Sequence, residues 1–471
     1  MPFDDAPNHA DVLVLGAGPG GYVAAIRAAQ LGLSVVIIEG RWWGGVCLNV
    51  GCIPTKALLR NAEVADLVTR QGGAFGLTGD LHVDYATGWK RSRDVASRMS
   101  DGVRFLMKKN SIRAVEGWGK FTGPHTVEVQ QSDGATTTWS FDHAIIATGA
   151  TPKVLPGMTV DDRVMTYEQL ITADHLPNSL VVAGSGAIGV EFATIAAAFG
   201  TDVTIVEYLD RLAPNEDEAV SAELARAFRK RGIKSMTGTA VRHVQQSEDG
   251  VIVDVAPAGG GEGTTIRADA LLLALGFAPR TDGFGLEQTG VSPNGNGFID
   301  VDHEMRTSVP HVFAIGDVTG KMMLAHVAER QGVIAAETIA GKHPMPLDYD
   351  SVPRATYCEP QIGSVGLTKA QAEAEGYSVK VSRFPFAANG KAQSLGESAG
   401  FVMLVADAET GLMLGAHMVG PDVTELLPEL VLAKTWGLTM EQLAITIHAH
   451  PSLSEAVMEA AEGISGTAID V

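Results

Sequence analysis

Four stretches of the chain run for five or six positions with almost no polar residue and are rich in β-branched side chains: DVLVLG from Asp11, SVVIIE from Ser34, SLVVAG from Ser179 and DVTIVE from Asp202. Strands buried on both faces of a parallel sheet read this way, because neither face alternates with polar positions. The first and third each enter a glycine cluster and an alanine-rich helical stretch, then continue into the second and fourth, so the pattern predicts two βαβ units. Between the units, helical periodicity extends from about Thr55 to Lys109, followed by a β-rich stretch and by AIIATGA at 144–150, which closes a first domain. LLLALGFAPR at 271–280 ends the second unit similarly, and FAIGD at 313–317 is expected to be another strand ending in a functional loop. From about Ser351 the pattern changes to RATYCEPQIGSVGLT, VMLVAD and GLMLGAHMVG with helices following, as in a separate α+β domain.

The fold expected is therefore α/β, with two Rossmann-like dinucleotide-binding domains and a C-terminal α+β domain. Its divisions fall at 1–150, 151–277, a central segment at 278–350 that returns to the first domain, and 351–471. A length of 471 residues suits about three domains. Lys plus Arg number 35 against 55 for Asp plus Glu, a formal charge of −20 that repels phosphate backbones and anionic lipid surfaces. Nucleic acid and membrane are thus not expected partners, and no apolar run reaches the roughly 18 residues of a membrane span. The N-terminal MPFDDAPNHA is acidic and lacks both an apolar core and an Arg-rich stretch, so a cytoplasmic protein is expected. Glycine is over-represented, with 54 of 471 residues against a typical share of about 7%.

Those glycines fall in motifs. GAGPGG fits GxGxxG through Gly16, Gly18 and Gly21, with Glu39 at the end of the next strand; GSGAIG repeats it through Gly184, Gly186 and Gly189, with Glu207. In both copies 23 residues separate the first glycine from the acid. The pattern serves a tight turn, close backbone approach to a pyrophosphate and helix–strand packing, while the acid accepts hydrogen bonds from a ribose diol. A 2′-phosphate at that place would be repelled, so Glu207 points to NAD over NADP; the plainer alternative is a solvated strand-end carboxylate. Two dinucleotide sites imply two cofactors, and a flavin reduced by a nicotinamide is the natural pairing.

Only three cysteines occur, and two of them, Cys47 and Cys52, lie close together in GGVCLNVGCIPTK at 44–56 with no disulfide framework around them. Pro54 suits the first turn of the helix that follows, which puts Cys52 beside a positive helix end and favours its thiolate. Cys358 is expected to be a small core residue.

GGVCLNVGCIPTK, the doubled fingerprint, FAIGD and the C-terminal HAHPSLSE together resemble the dihydrolipoamide dehydrogenases of the flavin-disulfide pyridine nucleotide oxidoreductase family, over essentially the whole chain. EGRWWGGVC, LGFAPR and LAHVAERQG resemble its actinobacterial-type branch, with Phe277 where the commonest forms more often read GRxPN. The resemblance implies that Gly16, Gly18, Gly21 and Glu39 hold the adenosine part of FAD, that Asp317 and Ala325 meet its ribityl and flavin portions, and that Gly45, Gly119, Thr148 and Gly149 also contact it. It implies a redox-active Cys47–Cys52 disulfide, with Cys52 beside the flavin and Cys47 exchanging with substrate. Lys56 would lie near the flavin, paired with Glu191, and Gly184, Gly186, Gly189, Glu191, Glu207 and Gly276 would serve NAD.

By the same resemblance His450 is the base that takes a thiol proton, a fitting task for an imidazole near neutrality, and Glu455 orients it. Ser452-Leu453-Ser454-Glu455 also fits a capping box, in which Glu455 closes a helix start; both roles can hold together. His448 has a structural claim alone. The activity implied is dihydrolipoamide + NAD⁺ → lipoamide + NADH + H⁺, carried out by a homodimer in which the C-terminal domain brings His450 to the disulfide of the other subunit. The substrate arm would come from a lipoyl-bearing acyltransferase or lipoyl carrier protein of a 2-oxoacid dehydrogenase or glycine cleavage system. The alternatives are a reductase of another disulfide or a metal ion, disfavoured by Glu207 and by a tail without a cysteine pair, and a structural or NADH-sensing subunit, against which the cysteine pair and His450 argue.

Overall fold

The structure is a computed structural model that describes residues 8–247 and 249–469. The reading of the N-terminal decapeptide therefore lies, for residues 1–7, outside the described residues. The chain divides into two units, each treated by itself.

The first unit comprises the described residues up to Ala57, Trp89–Lys153 and Gly276–Leu347. At its centre the strands His9–Leu15 and Val35–Glu39 lie side by side in parallel, flanked by Arg113–Glu116 and Thr136–Ile146. The last strand is shared: its first half pairs antiparallel with Thr126–Gln130, and its end pairs parallel with Val312–Ala314. That second pairing is how the central segment returns to the first sheet. The near-continuous apolar runs have the predicted cause, since Val12 and Val14 pack into one core layer and Leu13 and Leu15 into the other. The helices Pro19–Gln30 and Ala325–Ile339 contribute to the first layer through Ala24, Ala25, Ala28, Ile334, Ala335 and Ala336.

The second unit comprises Leu58–Gly88, Val154–Leu275 and, within the described residues, the chain from Asp348 onward. It contains a parallel sheet in which Ser179–Ala183 lies between Asp202–Val206 and Ala270–Leu273, and an antiparallel sheet in which Met413–Gly420 lies between Gln361–Gly366 and Phe401–Asp407. The regions expected as separate second and C-terminal domains thus carry separate sheets within one unit, and residues 58–88 belong with them rather than with the first domain.

The helical stretch expected from Thr55 to Lys109 is interrupted. The helix Cys52–Asp66 continues into a π-helical turn at Leu67–Gln71, and a new helix starts only at Tyr85–Lys109. Gly72, Gly73, Gly76 and Gly79 occupy the gap, and Gly76 and Gly79 have φ of +75° and +107°, which a helix cannot accommodate. The apolar spacing on either side masks the break.

Both first fingerprint glycines make left-handed turns, Gly16 at φ +104° and Gly184 at φ +102°. A Cβ at these positions would lie 2.3 Å from the Ala147 carbonyl oxygen and 2.4 Å from that of Ala274. Gly184→Ala should therefore destabilise the protein by about 1–3 kcal/mol, read as a lowered melting temperature; a variant melting with the parent would contradict this packing.

Candidate active site

The fingerprint turns are open where a ligand must approach. A Cβ on Gly186 would meet nothing within 4 Å, and one on Gly18 would meet only the Gly45 Cα, at 4.0 Å. Gly18 and Gly186 also cap the helices Pro19–Gln30 and Ala187–Ala198 without any side-chain cap bond, which leaves first-turn N–H groups for an anion. Gly21 and Gly189 close each arrangement, since a Cβ on either would lie 2.0 Å from the carbonyl oxygen of Gly16 or Gly184.

The strand-end acids occupy matching environments. Glu39 accepts from Ala17 N–H at 2.7 Å through one oxygen and from the N–H groups of Arg41 and Trp42, at 2.7 and 3.0 Å, through the other. Glu207 accepts from the Ser185 N–H and hydroxyl, both at 2.7 Å, and from Leu209 N–H at 2.8 Å. Neither is a freely solvated carboxylate. Each is fixed beside its glycine turn by backbone donors and retains lone pairs for a diol, so both modules fit the adenosine end of a dinucleotide.

The cysteine turn is fastened to the first module. Gly44 N–H donates to the Ala17 carbonyl at 2.9 Å, and a Cβ on Gly45 would lie 2.6 Å from the Gly18 Cα. Cys47 lies in the short helix Gly45–Asn49, and Cys52 is the first residue of the helix Cys52–Asp66. Gly51 lets the two segments approach, because a Cβ there would lie 3.3 Å from the Cys47 Cα. The two cysteine side chains are in hydrogen-bond contact, and that bond, followed by burial, holds the Cys47 thiol far above its ordinary range while Lys56 pulls the other way. Cys52 has the helix N-terminus to stabilise its anion. The two sulfurs thus sit in unlike surroundings, Cys47 on a short helix and Cys52 at the start of a longer one.

Asp317 lies in the 3-10 turn Gly316–Thr319, where burial pushes its carboxyl up to about 6. Ala325 begins the helix Ala325–Ile339, and Thr148 donates to the Arg280 carbonyl at 2.6 Å beside the left-handed Gly149. Gly119 has a packing reason of its own, since a Cβ there would lie 2.6 Å from Leu15 Cδ1. All the residues expected at FAD, Lys56 included, fall in the first unit. Of those expected at NAD, Gly184, Gly186, Gly189, Glu191 and Glu207 fall in the second and Gly276 in the first. Glu191 is 4% exposed and accepts from Tyr357 N–H at 2.9 Å.

His450 and Glu455 come together in the second unit. His450 Nδ1 lies 2.8 Å from Glu455 Oε1, while Glu455 Oε2 accepts from Ser452 N–H at 2.8 Å. The imidazole is held at one nitrogen and its side chain is 80% exposed, which leaves the other nitrogen available. Burial raises the Glu455 carboxyl, but the bonds from Ser452 and His450 outweigh it and the net shift is downward. Half of the expected capping box forms: the Ser452 hydroxyl bonds Ser454 Oγ at 2.9 Å, and the helix begins at Glu455 itself. His448 is bridged between the Thr446 carbonyl and Glu429, both at 2.8 Å, a structural role. Cys358 is fully buried, as a core residue should be.

Sequence reasoning missed Tyr22 and Glu329, whose side chains interact with each other; Glu329 acts electrostatically on Cys47, and Cys47 on Tyr22. Tyr22 sits inside the fingerprint helix, where only its polar tip among small apolar neighbours could have drawn notice. Gln331, 1% exposed and accepting from Gly316 N–H at 2.6 Å, likewise escaped.

Residues 10–332 match the family described as pyridine nucleotide-disulphide oxidoreductase, and residues 352–461 match the dimerisation domain of the same family. The chain is 50% identical over 467 residues to the dihydrolipoyl dehydrogenase of Mycobacterium leprae, covering 98% of this chain and 100% of the relative. It is 49% identical over 466 residues to that of Corynebacterium glutamicum, covering 98% and 99%. Among solved structures, LpdA from Mycobacterium tuberculosis is similar with a TM-score of 0.89 at 28% identity, covering 97% of this chain and 99% of that one. The HOCl-induced flavoprotein disulfide reductase RclA from Escherichia coli is similar with a TM-score of 0.85 at 27% identity, covering 96% and 99%. With both its nucleotide-binding and its dimerisation regions matched, the chain belongs to the pyridine nucleotide-disulphide oxidoreductase family, whose domains use FAD and NAD(H).

Proposed function

We propose that this protein is an NAD-dependent dihydrolipoamide dehydrogenase, oxidising the dithiol of a lipoyl-bearing acyltransferase or lipoyl carrier protein within a 2-oxoacid dehydrogenase or glycine cleavage system. The observation that carries the reading is the asymmetric thiol pair, Cys47 and Cys52, fastened to a dinucleotide turn. Bound FAD supplies the two-electron chemistry between this pair and NAD⁺. Gly16, Gly18, Gly21, Glu39, Gly45, Lys56, Gly119, Thr148, Gly149, Asp317 and Ala325 would hold it. Gly184, Gly186, Gly189, Glu207 and Gly276 receive the nicotinamide cofactor.

In the oxidised enzyme the two cysteines form a disulfide. A substrate thiolate attacks the Cys47 sulfur and Cys52 leaves as thiolate; the second substrate thiol then displaces Cys47, giving cyclic lipoamide and the reduced pair. His450 takes the substrate proton through its exposed nitrogen, and Glu455 fixes the ring and stabilises the imidazolium.

His450 serves the pair of the other subunit in a homodimer. The segment that carries it supports this, since Ile445 and Ile447 are 74% and 94% exposed just before it, and Trp436 is 70% exposed nearby. Such apolar side chains call for a covering surface. The enzyme acts in the cytoplasm, where a dithiol pair stays reducible; no helix of the described residues is long and apolar enough to cross a membrane.

Cys47→Ser should abolish lipoamide turnover with FAD retained, and His450→Gln should lower it by about 10²–10⁴-fold; near-parent activity in either would overturn the assignment. NAD⁺ should be preferred to NADP⁺ by on the order of a hundredfold in kcat/KM, the loss of charge-assisted bonds of about 1.5–3 kcal/mol to Glu207. Asp317, raised when folded, costs the FAD-free protein stability as pH rises from the ordinary carboxylate range through about 6. Hydroxyl donors on that carboxylate offset the cost, so the rise in melting temperature produced by FAD should grow between about pH 4 and 6 and level off above; a pH-independent increment would count against Asp317 as a cofactor contact.

A further inference from the structure

At the end of the first unit's sheet remote from the glycine turn, three side chains able to ligate a metal converge. His9 opens the strand His9–Leu15, and Asp11, two residues on, stands on the same face because side chains alternate along a strand. The strand pairs in parallel with Thr136–Ile146, His9 opposite Ser140 and Val12 opposite His143, which puts Asp142 level with Asp11. One ligand atom each from His9, Asp11 and Asp142 lies within 4.8 Å of the other two, and His9 Nε2 is 3.8 Å from Asp142 Oδ1. Ligand atoms around a tetrahedral zinc ion are about 3.4 Å apart, so small side-chain adjustments close the set on one ion.

The groups behind these atoms hold them as a metal site requires. The Ser140 hydroxyl donates to the Asn8 carbonyl at 3.5 Å, so its oxygen is left to accept from His9 Nδ1–H, 2.9 Å away. That tautomer keeps the lone pair on Nε2, the nitrogen on the Asp142 side. Asp11 and Ser34 bond reciprocally: Asp11 N–H donates to the Ser34 hydroxyl oxygen at 2.8 Å, and Ser34 N–H donates to Asp11 Oδ2 at 2.6 Å, which anchors the carboxylate and leaves Oδ1. The side chains of His9 and Asp142 are 37% and 60% exposed, so an ion can enter and water can complete its shell. Two carboxylates bring two negative charges, which one divalent cation balances and a protonated imidazole would balance only by half.

We propose that His9, Asp11 and Asp142 form a binding site for one divalent ion of the zinc class, which ties the first strand to the strand shared by both parts of the sheet. The imidazole selects zinc, nickel or copper over magnesium and calcium, which take oxygen ligands. The seven-residue strand sets the site roughly 20 Å from the glycine turn at its other end. The ion therefore serves the fold and not the dithiol chemistry.

The test is calorimetric titration of the oxidised, FAD-loaded enzyme with zinc chloride in excess magnesium, where a Cys47–Cys52 disulfide offers no thiolate. The parent should show zinc binding that His9→Ala and Asp142→Asn each weaken by tenfold or more. Ser140→Ala, which removes a support and no ligand, should weaken it by about tenfold. Zinc should also raise the melting temperature of the parent by more than that of either ligand variant. An FAD content equal to the parent's marks each variant as folded, and Asp142→Asn, nearly isosteric, serves should His9→Ala fold poorly. Absence of zinc binding by the parent, or isotherms of folded ligand variants that superimpose on the parent's, would overturn the proposal.

Discussion

The Gly44 N–H donates to the Ala17 carbonyl, and Gly45 lies so close to Gly18 that a Cβ on Gly45 would come within 2.6 Å of the Gly18 Cα. Through this contact the turn that carries the cysteines and the glycine turn of the first fingerprint are held together. The contact uses backbone alone, so its geometry does not depend on rotamers, and it fixes the distance from the thiol pair to anything bound along the fingerprint. The strand ends, Glu39 and the helix dipole are aligned by the same turn, because Ala17 gives its N–H to Glu39 and its carbonyl to Gly44.

On that frame the two sulfurs are made unequal by simple electrostatics. Cys52 heads a helix, whereas Cys47 sits on a five-residue helix against a cluster of buried apolar side chains. Two thiols of the same intrinsic acidity thus meet different surroundings, as the proposed division between exchange and charge storage requires. The His450–Glu455 pair works differently: it is exposed, held at one imidazole nitrogen by a carboxylate that is itself anchored to backbone, and placed beside apolar side chains that require a partner surface.

What could be read from the sequence was what local spacing dictates. The four parallel strands, the glycine turns and the acids 23 residues beyond them follow from a geometry that tolerates little variation. The cysteine turn was legible because its glycines and Pro54 announce a tight approach followed by a helix. The break at residues 72–84 was not, since helical periodicity on both sides hides a glycine-rich gap. Half of the capping box failed because the Ser452 hydroxyl found Ser454 first. Tyr22 and Glu329 were invisible because their meeting depends on how two remote helices cross at Gly20 and Gly332, a tertiary fact with no local signature.

The most direct measurement is an anaerobic visible titration of the FAD-loaded protein with dihydrolipoamide and, separately, with NADH, following the long-wavelength absorbance of a thiolate beside an oxidised flavin. The account predicts that dihydrolipoamide produces this band and that added NAD⁺ abolishes it. A band produced by NADH but not by dihydrolipoamide would leave the dithiol core standing and contradict the assigned substrate.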